Sequence, residues 1–213
     1  MENITDIAKR IYESGLYGGS ISDIVDELST FKKECVKEIP LETVVIQRVW
    51  AMPNGLTFTI KPIRELLNRY IKDYMVVIDP FANNSEYGTI TNDLNEDYKT
   101  DYHLDALEFL RLMPSSSCDV VLYDPPYSIT QAAQLYKSYG KKKLEINVAN
   151  MKYWAECKNE VARILKTEGI AITFGWNTNG IGKNRNFRQL EILIVAHGGS
   201  KNDTLVTIES KVV

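Results

Sequence analysis

Val120-Val121-Leu122-Tyr123-Asp124-Pro125-Pro126-Tyr127-Ser128 is the stretch that decides how the rest of the chain is read. Residues 120–123 are an apolar, strand-favouring run, preceded by the polar Asp119. Two prolines then end any hydrogen-bond ladder, because neither can donate a backbone N–H. The chain thus carries a carboxylate, two stiff carbonyl-bearing residues and an aromatic ring to the end of a buried strand. In open α/β sheets ligands bind at that end.

An exocyclic amine on a nucleobase is a weak nucleophile, since its lone pair is delocalised into the ring. Two acceptors, one for each N–H, draw the nitrogen toward a tetrahedral shape and offset the positive charge that grows as it attacks. Asp124 can supply a carboxylate oxygen, Pro125 a backbone carbonyl held by its fixed φ, and Tyr127 a stacking face. Asp124-Pro125-Pro126-Tyr127 at a strand end resembles the catalytic motif of S-adenosylmethionine-dependent amino-methyltransferases, above all the DNA adenine-N6 enzymes. The resemblance implies catalytic roles for Asp124, Pro125, Pro126 and Tyr127, and S-adenosylmethionine as the cofactor.

The upstream half extends the likeness. Residues 75–78 form a second buried strand candidate, closed by Asp79-Pro80-Phe81, which is similar to the first motif of that family. There Asp79 is implied to orient the amino-acid end of the methyl donor. The family continues into a glycine-rich turn; this chain reads Ala82-Asn83-Asn84-Ser85, and asparagine tolerates the left-handed backbone a tight turn needs. Residues 88–95 read as a third strand, whose Asp93 suits the two ribose hydroxyls of a nucleoside. Tyr102-His103-Leu104-Asp105-Ala106 resembles the next motif, implying that Asp105 accepts from the donor's adenine amine and Ala106 makes room for the ring. An acid before a helix is also an ordinary N-cap. His103 reads as a local structural residue, since transfer to an activated amine depends on alignment rather than on a general base.

Residues 56–63 alternate like a strand or extended loop, and Pro62 stands where a helix over residues 64–70 can start. The resemblance implies that Thr59, Ile60, Lys61 and Pro62 wall the cofactor; a plain strand-to-helix connection is the competing reading. Helices are expected over residues 4–16 and, capped by Ser20 or Ser22, across Ile24, Val25, Leu28 and Phe31. They could pack on the catalytic domain, touch nucleic acid or form an interface. The expected division is a helical extension over residues 1–47 and a catalytic domain over residues 48–213.

Beyond the catalytic loop, residues 131–137 suit a short helix, and Gly140-Lys141-Lys142-Lys143 suits either a lid that meets phosphates or a solvated charge run. Residues 151–165 form an amphipathic helix that Gly169 is placed to cap. A strand at 170–174 leads to a loop rich in glycine, asparagine and basic residues over 175–188, expected to border the site. Within it Lys183, Arg185 and Arg188 are the expected phosphate contacts, and Trp176 is either pocket or core. Strands at 190–196 and 204–208 close the chain around a turn at His197-Gly198-Gly199.

The 213 residues, 44% hydrophobic and 25% charged, suit a globular chain with a full core. No apolar run approaches a membrane span, so no membrane partner is expected. Cys35, Cys118 and Cys157 lack metal-ligand spacing and read as reduced thiols, which points to the cytoplasm. The net charge of −3 means that any nucleic-acid site rests on local basic patches. The expected class is α/β: a Rossmann-like, mostly parallel, doubly wound sheet with an antiparallel C-terminal strand. The expected activity is methyl transfer to adenine N6 in DNA, with RNA adenine or N4-cytosine as neighbouring substrates and a non-catalytic subunit as the rival. The C-terminal stretch from Ile170 resembles small phage and prophage adenine methylases, and the likeness as a whole covers Trp50 to the end. Little chain remains for a target-recognition domain, so short specificity, a homodimer or a separate recognition subunit is expected.

Overall fold

The structure, a computed structural model, describes residues 4–15, 20–35, 43–140, 148, 150–199 and 201–212. It divides into two compact units, residues 1–43 and 44–213. In the first, α1 (Ile4–Glu13) packs on α2 (Ile21–Cys35), with Ala8 and Ile24 buried. Ser20 begins α2 as a reciprocal cap: its Oγ accepts from the Asp23 N–H at 3.3 Å, while Asp23 Oδ2 accepts from the Ser20 N–H at 2.7 Å.

The second unit holds one seven-stranded sheet. Its strands are β1 (Val45–Trp50), β2 (Val77–Asp79), β3 (Ile90–Thr91), β4 (Cys118–Tyr123), β5 (Leu165–Gly175), β6 (Phe187–Ala196) and β7 (Thr204–Lys211), in the order β1-β6-β7-β5-β4-β2-β3. Every pairing is parallel except those of β7, which lies antiparallel between β5 and β6. Helices α3 (Lys61–Tyr70), α4 (Ala106–Leu112), α5 (Ile129–Ser138) and α6 (Met151–Ile164) connect the strands.

The continuous apolar run of β4 follows from this architecture, since both faces of the strand are covered. Val121 and Tyr123 join Phe109, Val161 and Ile164 on one face. Val120 and Leu122 join Ile63, Leu66 and Leu67 on the other. The two clusters hold the helices to the sheet, and so fix the strand ends that carry the site.

Four expectations change. Residues 56–63 are not extended: Thr57–Thr59 form a 3₁₀ turn and α3 begins at Lys61. Local hydrogen bonds outcompete the alternation there, because Asn54 Nδ2 donates to Thr59 Oγ1 at 2.8 Å while Asn54 Oδ1 accepts from the Leu56 N–H at 3.0 Å. The strand in this region lies upstream as β1, which puts the division at 43/44 rather than 47/48, since Val45, Ile46 and Gln47 pair with Glu191, Ile192 and Leu193. Third, Gly169 does not cap a helix. α6 ends at Ile164, and β5 starts at once. Gly169 instead permits a close approach, for a Cβ there would lie 2.8 Å from the Lys166 carbonyl oxygen. Fourth, the expected strand over 88–95 shrinks to Ile90–Thr91, with a single bridge from Asn92 to Tyr102. Among the described residues, no helix is long and apolar enough to cross a membrane.

Candidate active site

The strand order reverses at β2 and β4. From β2 the chain crosses to β3 on one side and later returns to β4 on the other, with Ile78 beside Val121. Two neighbouring strands whose exits part in this way leave a crevice between their C-terminal ends. A cavity of about 850 Å³ opens there, within the ordinary size of small-molecule sites. Residues 53–60, 80–85, 92–94 and 124–127 wall it, together with side chains from α5 and from the β6–β7 turn.

Asp124, Pro125, Pro126 and Tyr127 all face this space, as do Thr59, Ile60, Pro80, Phe81, Asp93 and Ala106. Burial pushes the Asp124 carboxyl up to about 6, against the opposing effect of hydrogen bonds from the Tyr127 and Thr57 hydroxyls. Tyr127 packs edge-to-face on Trp176, with ring centroids 5.8 Å apart. Trp176 therefore belongs to the cavity rather than to the core.

Asp79 sits just behind the wall, fully buried. Its Oδ1 accepts from the Phe81 N–H at 3.1 Å, and its Oδ2 has no hydrogen-bond partner. Burial raises its carboxyl well above the usual range, and the charges of Asp124 and Asp93 add to the rise. Asp93 is itself raised by burial, although it accepts from the Asn95 N–H at 2.8 Å and the Asn83 N–H at 3.0 Å. Asn83 takes the left-handed conformation, φ 54°, in the turn where the resembling family has glycine. Three carboxyls raised by burial, of which Asp79 is raised further by the other two and keeps an orphaned oxygen, suit a ligand that brings positive charge and donor groups. A nucleoside with a cationic tail meets that description.

Other expected residues lie elsewhere. Asp105 is not on the cavity surface. It caps α4 through Oδ1, accepting from the Leu107 N–H at 3.1 Å. Its Oδ2 accepts from Tyr153 at 2.7 Å and from Tyr136 at 3.2 Å. Lys61 is on the outer face of α3, 3.9 Å from Glu65, and Pro62 opens that helix away from the cavity. His103 has the local role expected, its Nδ1 lying 3.2 Å from the Asp93 carbonyl oxygen. Lys141 and Lys142 lie outside the described residues.

Lys183, Arg185 and Arg188 sit at the wrong end of the sheet. β5 and β6 are both antiparallel to β7, and so run in the same direction. The connection from Gly175 to Phe187 must run the length of the sheet, from the cavity end back to the opposite one. Trp176 stays at the cavity; residues 183–188 do not. Arg185 is further tied by bonds to Asn159 Oδ1 at 2.7 Å and the Ile181 carbonyl at 3.1 Å.

Sequence reasoning missed Thr57, His197, Lys201, Asn202, Tyr136 of α5 and its C-cap Tyr139, all on the cavity wall. His197 clips three segments, its Nδ1 2.8 Å from the Ala51 carbonyl and its Nε2 2.8 Å from Thr204 Oγ1. These partners set its tautomer: Nδ1–H donates, and Nε2 accepts the threonine proton. Apart from Thr57, inside the 56–63 segment, none of these residues stands in a local motif. Their only sequence signal was the expected turn at His197-Gly198-Gly199.

No family model matches the sequence, and no curated protein matches it. Solved structures do. The 1,6-didemethyltoxoflavin-N1-methyltransferase of Burkholderia thailandensis aligns at TM-score 0.50 and 11% identity, over 90% of this chain and 87% of that one. TrmN from Thermus thermophilus aligns at TM-score 0.48 and 16% identity, over 72% of this chain and 49% of that one, so the match spans about half of TrmN. A SAM-dependent methyltransferase from Methanosarcina mazei gives TM-score 0.48 and 10% identity, over 70% and 97% of the two chains. The fold is therefore Rossmann-like, of the mostly parallel methyltransferase type.

Proposed function

We propose that the chain is an S-adenosylmethionine-dependent methyltransferase acting on the exocyclic N6 amine of adenine in DNA. The observation that carries this reading is one continuous cavity bounded at one side by the 80–85 turn and Asp93 and at another by Asp124–Tyr127. Bound there, S-adenosylmethionine supplies an electrophilic methyl group on a sulfonium. The residues suited to hold it are the turn from Pro80 to Asn83 and Asp93 toward the ribose, which line the cavity, with the buried Asp79 and its orphaned Oδ2 directly behind them. Asp105 is left out of this set, because it does not line the cavity and both its oxygens are engaged by the α4 N–H groups and by Tyr136 and Tyr153.

On the target side, Asp124 accepts one N–H of the amine and the Pro125 carbonyl the other. Held this way, the nitrogen lone pair would be free to take the methyl group, the C–S bonding electrons staying on the donor's sulfur. The surplus amine proton passes through the Asp124 carboxylate to water. A carboxyl pushed up to about 6 is suited to that relay near neutral pH. Tyr127 and Thr57 hold the carboxylate, and the Tyr127 ring walls the base slot. Alignment and charge placement account for most of the rate.

Incubation of the purified chain with labelled donor and DNA or RNA, followed by nucleoside analysis, tests this directly. Label in N6-methyl-2′-deoxyadenosine of the DNA sample is the expected result. Label in RNA alone, or in N4-methylcytosine, redirects the substrate; no label and no donor binding indicates a scaffold subunit.

A further inference from the structure

Resting on the methyl-transfer reading, we infer that the site takes its target from an unpaired strand rather than extracting it from a duplex. The exposed rim of the cavity mixes amides such as Asn54, Asn84 and Asn202 with large apolar side chains. Trp176 and Leu56 line the cavity yet are 41% and 46% exposed. Met52, 67% exposed, directly precedes Pro53 of the wall, and Trp50, 65% exposed, lies against the β6–β7 turn at Gly198. Two exposed tryptophans, Trp176 on the wall and Trp50 beside the β6–β7 turn, with Leu56 and Met52 next to the same wall, offer rings on which successive bases stack. Such contacts are sequence-tolerant and worth roughly ten- to a hundred-fold in affinity each.

Charge points the same way. Duplex binding draws on many phosphate contacts, commonly 6–10 for a stable complex. Among the described residues, Lys201 is the one lysine or arginine on the cavity wall. Arg48, on the nearby edge strand, stands 3.7 Å from Asp203, an exposed pair that partly offsets its charge. Lys183 and Arg188 belong to the far end of the sheet, and Arg185 is pinned to Asn159 and the Ile181 carbonyl. Carboxylates face the cavity instead, and the chain as a whole carries −3. Among the described residues, one wall cation beside two exposed tryptophans fits a single backbone whose bases are already free, and such a target carries no unstacking cost.

The test compares one adenine-containing oligonucleotide as a single strand and annealed into a blunt duplex, using labelled-donor turnover and fluorescence anisotropy, with donor affinity measured separately. The single strand is expected to show at least about ten-fold higher kcat/KM. Trp50→Ala and Trp176→Ala are expected to raise the single-strand KM about ten-fold, with donor Kd unchanged and the single-strand preference reduced. Trp176→Phe, which keeps a ring, restores most of it. Lys201→Gln lowers the salt slope of binding by about one ion. Equal or faster turnover of the duplex by the unmodified chain overturns this inference and leaves the methyl-transfer reading standing. Donor binding with no turnover of either form overturns both.

Discussion

The Tyr153 hydroxyl donates to Asp105 Oδ2 at 2.7 Å, inside the hydrophobic layer between α4 and α6. With Tyr136 on the same oxygen and the α4 N–H groups on the other, this aspartate is a cap and a tyrosine anchor. Asp105→Ala is expected to cost about 2–4 kcal/mol, from a lost cap and buried hydroxyls left unpaired. Urea unfolding measures that cost. Donor affinity of the folded variant, read by calorimetry, is expected to stay within about three-fold; a hundred-fold loss would return Asp105 to the cofactor site.

At Asp124 activity and stability are expected to oppose each other. Its carboxyl is raised by burial to about 6, from an ordinary value of 3.8. The folded state therefore binds its proton more tightly than the unfolded chain does. That contribution is fully present below about pH 4 and is lost as pH rises through about 6. Asp124→Asn, neutral at every pH, is expected to gain about 1–3 kcal/mol at pH 8 and to lose methyl transfer by at least about a hundred-fold. Thermal melts at pH 4 and pH 8 separate the two states. In the unmodified chain the rate is expected to climb with pH through about 6.

The cofactor turn can be probed at Asn83. Its φ of 54° is open to glycine and asparagine and strained for a branched residue. Asn83→Gly is expected to change stability by less than about 1 kcal/mol. Asn83→Val is expected to cost about 1–2 kcal/mol and to weaken donor binding, because it displaces the N–H that holds Asp93. Equal donor affinities for the two variants, by calorimetry, would separate this turn from the donor site.

The basic residues before β6 are expected to matter for folding and not for binding. Arg185 ties the 176–186 crossover to α6 through Asn159 and the Ala155 carbonyl. Arg185→Ala is expected to lose about 1–3 kcal/mol of stability while leaving the salt dependence of nucleic-acid binding unchanged. Lys183→Gln is expected to change neither. A reduced salt slope in either variant would bring that end of the sheet into contact with phosphate.

Local chemistry made much of the chain legible. The buried strands ending in Asp79 and Asp124, the amphipathic helix over Met151–Ile164 and the Ser20 cap each depend on neighbours a few residues apart. The left-handed turn at Asn83 was open for the same reason, as a property of one side chain.

Tertiary structure decided what lies between distant segments. Asp105 reads alike as a cap or as a ligand contact until Tyr136 and Tyr153 arrive from 31 and 48 residues away. Basic residues 183–188 read as a rim until the sheet order sends their segment to the opposite end. The β6–β7 turn becomes a wall only because β7 inserts between β5 and β6 and His197 clips it to Ala51. Sequence alone therefore determined which strands end in acids, because strand formation and its termination by proline are local. The fold decided which of those acids share one cavity, since strand order rests on packing between residues far apart in the chain.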